Sequence, residues 1–280
     1  MHESGEVMTV SQKSPTPNPA QMYEEVLVTN LFRPLALEVL NVASPAPGDR
    51  VLDVACGTGI MLREAAVRVA NLQRLAGVDI NPMMIDVGRA VTEQAGIDVE
   101  WYEAPAESLP FAESEFSSAY CQQGLQFFPD KVAAMRETQR VLEPGGRAIS
   151  VIWRQIEDHP FIGALNDVAY EHTGHNMLLD PFSFSDEDAI RDVHQQAGFA
   201  DISIQPVSIT YSSPSPKRDL RMMLMGATAA IRSLQELPPE ERLELVNQVL
   251  DHADPVLDRY RDGDHLITDW HANLVIARKG

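Results

Sequence analysis

The sequence is poor in cysteine and in long apolar segments. Only two cysteines occur among the 280 residues, Cys56 and Cys121. A disulfide framework is therefore not expected, and a reducing, cytoplasmic location is predicted. No uninterrupted run of eighteen apolar residues is present, which argues against insertion into a membrane. The start of the chain also lacks an apolar stretch after basic residues, so a secretory signal is not expected.

Positive charge is also scarce. The chain has 22 Lys and Arg against 41 Asp and Glu, giving a net charge of −19. Nucleic acids and anionic membranes require a basic surface, so neither is an expected partner. Such a composition fits either a salt-rich cytoplasm or an ordinary acidic protein, and both remain open. No metal-ligand spacing is visible; His172 and His175 have no third ligand nearby in sequence, and no metal is predicted.

Among the residues that are present, the segment Val51–Gly59 is the most informative. An apolar run containing one acid, Asp53, leads directly into the glycine turn Gly57-Thr58-Gly59. The run predicts a buried strand of a parallel sheet, and Ile60 to about Ala70 predicts the following helix. A strand, a glycine turn and a helix together bring backbone N–H groups close to a ligand.

The glycine spacing separates two classes of ligand. A dinucleotide turn requires a third glycine at the position where this chain has Leu62. Asp53 would also repel a pyrophosphate, whereas it would attract an ammonium or a sulfonium group. The turn therefore favours S-adenosylmethionine over NAD or a flavin. Asp79, at the end of the next predicted strand, suits the ribose hydroxyls of either ligand.

The motif Asp53-x-Ala55-Cys56-Gly57-Thr58-Gly59 resembles the first motif of class I S-adenosylmethionine-dependent methyltransferases, with the ubiquinone/menaquinone-biosynthesis C-methyltransferases as the nearest likeness. The resemblance covers about residues 20–155. It implies a doubly wound, Rossmann-like α/β fold with a seven-stranded sheet whose strand 7 is antiparallel. We predict a disordered tail over 1–19, a cofactor domain over 20–211 and 265–280, and a helical substrate cap over 212–264, inserted between strands 6 and 7.

The resemblance and the motif positions give a set of expected cofactor contacts. In Ala104–Phe111, Ala104-Pro105 replaces the usual Gly-Asp of the family, which weakens the adenine assignment there. Either Met83 or Met84 of the adjoining helix could instead be ordinary core. The predicted cofactor-binding residues are Asp53, Ala55, Cys56, Gly57, Gly59, Asp79, Ile80, Met84, Ala106, Glu107 and Gln122.

Contacts to the acceptor follow less directly from the sequence. The expected substrate-side residues come from the N-terminal helix, the ends of strands 4 and 5, and the cap: Tyr23, Gln126, Phe127, Trp153, Met222 and Met225. The alternatives are ordinary helix packing for Tyr23, a loop-capping hydrogen bond for a glutamine, and core positions for the methionines. His159 is the candidate general base because the pKa of an unperturbed imidazole suits that role. The alternative for His159 is a residue that introduces the helix beginning at Pro160.

The predicted activity is transfer of a methyl group from S-adenosylmethionine to carbon or oxygen of a small, fairly apolar acceptor. S-adenosylhomocysteine would be the second product, and the protein would be a monomer or homodimer. The alternatives are a non-catalytic S-adenosylmethionine-binding regulator, a protein methyltransferase and a dinucleotide oxidoreductase. Asp53 and Leu62 disfavour the last of these.

Overall fold

The structure is a computed structural model that describes residues 19–280, apart from the side chains of residues 229, 230, 232 and 233. The predicted disordered tail lies outside the described residues except for Pro19. The helical elements in chain order are α1 Pro19–Tyr23, a π-helix Glu24–Phe32, α2 Arg33–Ala43, α3 Ile60–Arg68, α4 Pro82–Ala95, α5 Lys131–Val141, α6 Pro160–Thr173, α7 Glu187–Gln196, α8 Pro216–Ala230, α9 Arg232–Gln235, α10 Pro239–His252 and α11 Asp254–Arg259.

One sheet organises these helices. Its strands are β1 Arg50–Val54, β2 Arg74–Asp79, β3 Glu100–Glu103, β4 Phe116–Gln122, β5 Leu142–Trp153, β6 Phe199–Ser213, β7 Arg261–Asp262 and β8 His265–Lys279. The order is β3-β2-β1-β4-β5-β8-β6, with the short β7 paired to β8. β8 runs antiparallel to both β5 and β6. The predicted seven-stranded sheet is confirmed, with β8 as the predicted strand 7 and β7 as an addition.

Both faces of the central strands β1 and β4 are buried, as their apolar pattern requires, whereas the edge strand β6 alternates buried and exposed residues. Val51 faces a layer formed by α2, α3, α6 and the helices between β6 and β8. Its neighbour Leu52 faces the opposite layer, which includes α5 and α7. Consecutive residues point to opposite faces because side chains alternate along a strand. The packed sheet therefore fixes the positions of the polar residues at the strand ends.

The N-terminal helices form one continuous helical segment over Pro19–Ala43. The sequence predicts one helical pattern over about 21–42, divided into two helices at Pro34. The structure instead changes from π to α beside Pro34, where the N–H of Arg33 donates to the carbonyl of Val28, five residues back. Pro34 has no N–H to donate, and it is tolerated in the first turn of the α-helix. By length and composition this segment could cross a membrane, with a mean hydropathy of 1.4, but half of that window is buried inside the protein. Core helices pass the same test, so no membrane span is shown.

The sequence predicts two helices between β6 and β8, over 217–237 and 239–260, and the structure divides each of them into shorter helices. The first predicted helix is interrupted at Ile231, whose ψ of 117° is extended. The second is interrupted at Ala253, just before the Asp254-Pro255 start of α11. α10 packs against α8 and also against α6. The helical cover therefore includes α6, which lies outside the predicted cap.

Candidate functional site

The turn after β1 has the backbone conformation that a close-approaching ligand requires. Ala55, Gly57 and Gly59 all have positive φ, at 56°, 53° and 78°. Gly59 caps α3 in the left-handed region, where a side chain would be strained. The N–H of Cys56 donates to Val78 O at 3.0 Å, which joins the turn to β2. Backbone N–H groups and the α3 N-terminus consequently gather at one end of the sheet.

Two carboxyl groups lie beside this turn. Asp53 is only 2% exposed, and burial followed by repulsion from Asp79 raises its pKa well above the usual range. Burial is also the main cause of the raised pKa of Asp79. The Asp79 oxygens accept hydrogen bonds from the N–H groups of Gly57 at 2.8 Å and Asn81 at 2.9 Å. A buried acid and a half-buried acid that are close enough to repel one another make the site attractive to a cation.

The N-terminal helical segment closes over the turn. A Cβ built on Gly57 would lie 3.8 Å from the Tyr23 hydroxyl oxygen, and burial with the nearby Asp79 raises the pKa of Tyr23. The Tyr23 ring stacks on Phe32 with centroids 5.4 Å apart. Glu24 accepts a hydrogen bond from the Thr58 hydroxyl at 2.5 Å. These contacts fix the π-helix directly against the glycine turn.

Three glutamines lie at the adjoining strand end: Gln122 is the last residue of β4, and Gln123 and Gln126 follow it. Gln122 donates its Nε2 to the Phe32 carbonyl at 3.0 Å, and Gln126 donates to Gln123 Oε1 at 2.8 Å. Within the described part of the chain, the Oε1 atoms of Gln122 and Gln126 are buried without a hydrogen-bond partner. A Cβ on Gly124 would lie 2.7 Å from Ala55 Cβ, so this turn packs tightly against the first. Buried acceptors without partners are expected to face a hydrogen-bond donor on a ligand.

Comparisons with known proteins agree with this geometry. Residues 51–146 match a family model described as a methyltransferase domain. A ubiquinone/menaquinone biosynthesis C-methyltransferase from Shewanella frigidimarina is 31% identical over 182 residues, covering 58% of this chain and 71% of that protein. The chain belongs to the S-adenosylmethionine-dependent methyltransferases.

Solved structures support the same fold. A methyltransferase-like structure from Bacillus halodurans aligns with a TM-score of 0.55 at 21% identity, covering 87% of this chain and 98% of that one. A Haemonchus contortus phosphoethanolamine N-methyltransferase, solved with S-adenosyl-L-methionine, aligns with a TM-score of 0.56 at 18% identity, covering 93% and 56%. At these identities the likeness concerns the fold alone.

The residues at the site fit S-adenosylmethionine, the cofactor of this family. Ile80 is 71% exposed and Met83 47% exposed beside Asp79, so apolar surface is available to cover a flat ring. Gln122 offers a buried, unpartnered acceptor to an ammonium group. The Asp53–Asp79 pair favours the positive charge of a sulfonium. No group of three or more His, Cys, Asp or Glu that could hold a metal is found among the described residues.

The structure gives the surroundings of several other predicted cofactor residues. Cys56 is buried, and burial followed by Asp53 raises the pKa of its thiol, so the sulfur stays protonated. Met84 is half-buried at the start of α4. Ala106 is 7% exposed. Glu107 accepts a hydrogen bond from the Asp130 N–H at 3.4 Å, which ties the segment to the start of α5.

The predicted general base, His159, is placed as a structural residue. Its ring is 1% exposed; Nδ1 donates to Gln155 O at 3.0 Å, and Nε2 accepts from the N–H of His271 at 3.0 Å. Burial lowers the pKa of the ring. Both ring nitrogens of His159 are occupied, so neither is free to take a proton from an acceptor. We therefore do not propose His159 as the general base.

The predicted substrate residues divide by exposure. Trp153 is 3% exposed and packs on Trp270 with centroids 5.0 Å apart, so it belongs to the core. Met222 is also buried, whereas Phe127 is 51% and Met225 40% exposed. Two surface cavities of about 230 and 400 Å³ adjoin at Asp158 and His271. Their linings contain none of the predicted cofactor or substrate residues.

Sequence reasoning missed the residues that hold the glycine turn from outside the motif. Arg63 pairs with Glu24 at 2.7 Å, and nothing in the spacing of residues 24 and 63 signals that contact. Trp101 fills the space left by Gly59, Gly77 and Gly88, where added Cβ atoms would lie 2.5, 3.2 and 2.5 Å from its ring. Three glycines around one indole could be recognised only after the strands had been paired.

Proposed function

We propose that this methyltransferase transfers the methyl group to carbon or oxygen of a small, fairly apolar acceptor. The observation that carries the proposal is the cover over the strand ends. The N-terminal segment lies directly on the glycine turn, and α8 packs against its π-helix. A site beneath such a cover would favour small molecules over protein segments.

A buried polar contact joins α8 to the π-helix of the N-terminal segment. Asp219 of α8 is 3% exposed; it accepts hydrogen bonds from Asn30 Nδ2 at 3.2 Å and from the Tyr211 hydroxyl of β6. A more exposed pair, Arg218 with Glu25 at 3.0 Å, connects the same two helices. We propose that this junction sets the outer limit of the acceptor site.

We propose the following holders for the cofactor, which supplies an electrophilic methyl group when bound. Asp79 receives the ribose hydroxyls, and Gln122 with Asp53 receives the ammonium group. The remaining contacts are proposed for Ala55, Cys56, Gly57, Gly59, Ile80, Met84, Ala106 and Glu107. The chain's task is then to align the acceptor with the methyl carbon and to exclude water.

The acceptor would meet residues from the N-terminal segment, the end of β4 and α8. We propose Tyr23, Gln126, Phe127, Met222 and Met225 for these contacts. The buried Oε1 of Gln126 can receive a hydroxyl of the acceptor and so orient it. The name of the Shewanella frigidimarina relative, a C-methyltransferase, favours carbon as the attacked atom. The net charge of −19 disfavours strongly anionic acceptors.

The test is an acceptor screen with methyl-labelled S-adenosylmethionine. The panel contains phenols, hydroquinones and aromatic carboxylic acids, together with a protein extract. We expect label in a small apolar product, with mass spectrometry locating the methyl on carbon or oxygen, and no label with Asp79→Ala. Label confined to the protein fraction would overturn the small-molecule proposal, and so would no transfer to any acceptor by protein that binds S-adenosylhomocysteine.

A further inference from the structure

Arg63 is a buried cation with an incomplete set of partners. It lies in the first turn of α3, directly after the glycine turn, and is 9% exposed. Its Nη1 pairs with Glu24 Oε1 at 2.7 Å. Its Nε and Nη2 are buried and have no hydrogen-bond partner within residues 19–280 as described. Leaving two donors of a buried charged group unpaired is costly, so they are expected to face an acceptor on a ligand.

The two unpaired donors of Arg63 are placed to bind one ligand group together. Nε and Nη2 lie on the same edge of a guanidinium, and their N–H bonds run parallel. That edge matches the two oxygens of a carboxylate in a bidentate pair. Glu24 uses only Nη1 and leaves the whole edge available. The missing partner therefore has the chemistry of a carboxylate.

Arg63 also lies close to the cofactor turn. Glu24 bridges Arg63 and the Thr58 hydroxyl, at 2.7 and 2.5 Å. Glu24 follows Tyr23, whose hydroxyl lies against Gly57. The α3 N-terminus adds partial positive charge to the same place. Asp53 and Asp79 near the turn can pair with cationic groups of a ligand. Arg63 can pair with an anionic group, which those acids would repel.

We propose that the Nε–Nη2 edge of Arg63 binds the carboxylate of the methionine part of S-adenosylmethionine. This assigns a specificity residue for the amino-acid end of the cofactor, with Glu24 and Thr58 holding the guanidinium in place. It rests on the identity of the cofactor and not on the proposed acceptor. A failed acceptor screen would leave it standing, because its test measures binding only.

The experiment compares two ligands by calorimetry. One is S-adenosylhomocysteine; the other is its decarboxylated counterpart, which keeps the amine and the adenosine. Arg63→Lys retains the pair with Glu24 but lacks the bidentate edge. We expect Arg63→Lys to weaken S-adenosylhomocysteine binding about 10- to 100-fold, as for a lost charge-assisted pair. Binding of the decarboxylated ligand should change by less than about twofold, since it does not meet that edge.

The matched control is Arg33→Lys. Arg33 also joins the N-terminal helices to α3, through Glu64 at 2.7 Å, but its side chain is 55% exposed. We expect Arg33→Lys to leave the affinities for S-adenosylhomocysteine and for its decarboxylated counterpart unchanged. The proposal would be overturned if Arg63→Lys lost affinity equally for both ligands, or if it lost affinity for neither. If Arg63→Lys does not fold, the wild type decides, because equal affinity for the two ligands would also overturn it.

Discussion

Asp53, near the end of β1, is a buried acid whose ionisation costs free energy, and a cationic ligand can offset that cost. Asp53 is buried, and burial, together with the nearby Asp79, raises its pKa. A raised pKa in the folded state means that folding favours the protonated carboxyl. This contribution to stability is complete below the unfolded pKa, near 4, and is lost as pH rises through the folded pKa. A cationic cofactor reverses the preference and favours the carboxylate.

Replacing Asp53 by Asn should remove this pH dependence. Between about pH 4 and neutrality we expect the Tm of the ligand-free wild type to fall relative to that of Asp53→Asn, because only the wild type must ionise a buried acid. We also expect the variant to bind S-adenosylhomocysteine more weakly, because the ammonium group of the ligand loses a carboxylate partner. Thermal scans and calorimetry across pH measure both effects. Parallel Tm curves for the two proteins would contradict this account.

His159 gives a second prediction at this scale. His159→Ala should lower the free energy of unfolding by about 1–3 kcal/mol, because the His271 N–H loses its acceptor. His159→Gln keeps an acceptor oxygen and should cost less. Turnover with an identified acceptor should be nearly unchanged, whereas removing a general base costs about 100-fold or more. His265→Gln, at an exposed position, is the control. A large loss of kcat in a stably folded His159→Gln protein would restore the base assignment.

At the scale of the elements, the π-helix and the turn beneath it depend on contacts between distant segments. The π-helix joins α1 to α2, and Glu24 and Asn30 within it bind the glycine turn and α8 respectively. π-helical turns are uncommon and often occur at functional sites. The helical spacing of apolar residues over 21–42 predicts a helix but cannot distinguish π from α, because the choice depends on these tertiary contacts.

Trp101 of β3 provides the prediction for this scale. Gly88→Ala in α4 would normally gain about 1 kcal/mol of helix propensity. The new Cβ would instead lie 2.5 Å from Trp101 Cη2 and 3.0 Å from Thr58 O, and overpacking costs about 1–3 kcal/mol. We therefore expect a net loss of stability, measured from the denaturant midpoint.

Two further variants make this prediction specific. Gly163→Ala in α6 has its nearest atom at 4.0 Å, so it should be neutral or stabilising. In a Trp101→Phe background the cost of Gly88→Ala should shrink, because the smaller ring leaves room for the methyl group. Equal costs of Gly88→Ala in both backgrounds would show that the Trp101 contact is not the cause.

For the whole molecule, the dominant feature is the charge of −19. Self-repulsion among like charges destabilises a compact state and is screened by salt. Salt also weakens ion pairs, but the pairs Lys217–Asp254 and Arg218–Glu25 are more than half exposed and each contributes at most about 1 kcal/mol. The net charge is therefore expected to dominate the response to salt.

We accordingly expect Tm to rise as NaCl increases toward about 1 M, where the screening length is about 3 Å. Thermal scans in NaCl and KCl test this, and agreement between the two salts excludes binding of one specific ion. A steady fall in Tm with salt would contradict the argument. Activity that persists in molar salt would favour a salt-adapted protein, whereas activity lost above modest salt would favour an ordinary acidic one.

The sequence by itself determined the sheet, its glycine turn and the class of cofactor. These depend on local patterns: apolar runs for β1 and β2, positive-φ glycines at 57 and 59, and an acid placed before the turn. The same holds for α6, because the sequence predicts a helix over 160–173 and the structure has it over Pro160–Thr173.

Only the tertiary structure decided which side chains meet across the site. Arg63 reaches Glu24 from another helix, and His159 is occupied by a backbone N–H that lies 112 residues away in the chain. The interruption at Ile231, the π-helix and the packing of α6 on α10 likewise depend on long-range contacts. Such contacts leave no periodic mark in a sequence, because each partner alone resembles an ordinary surface or core residue.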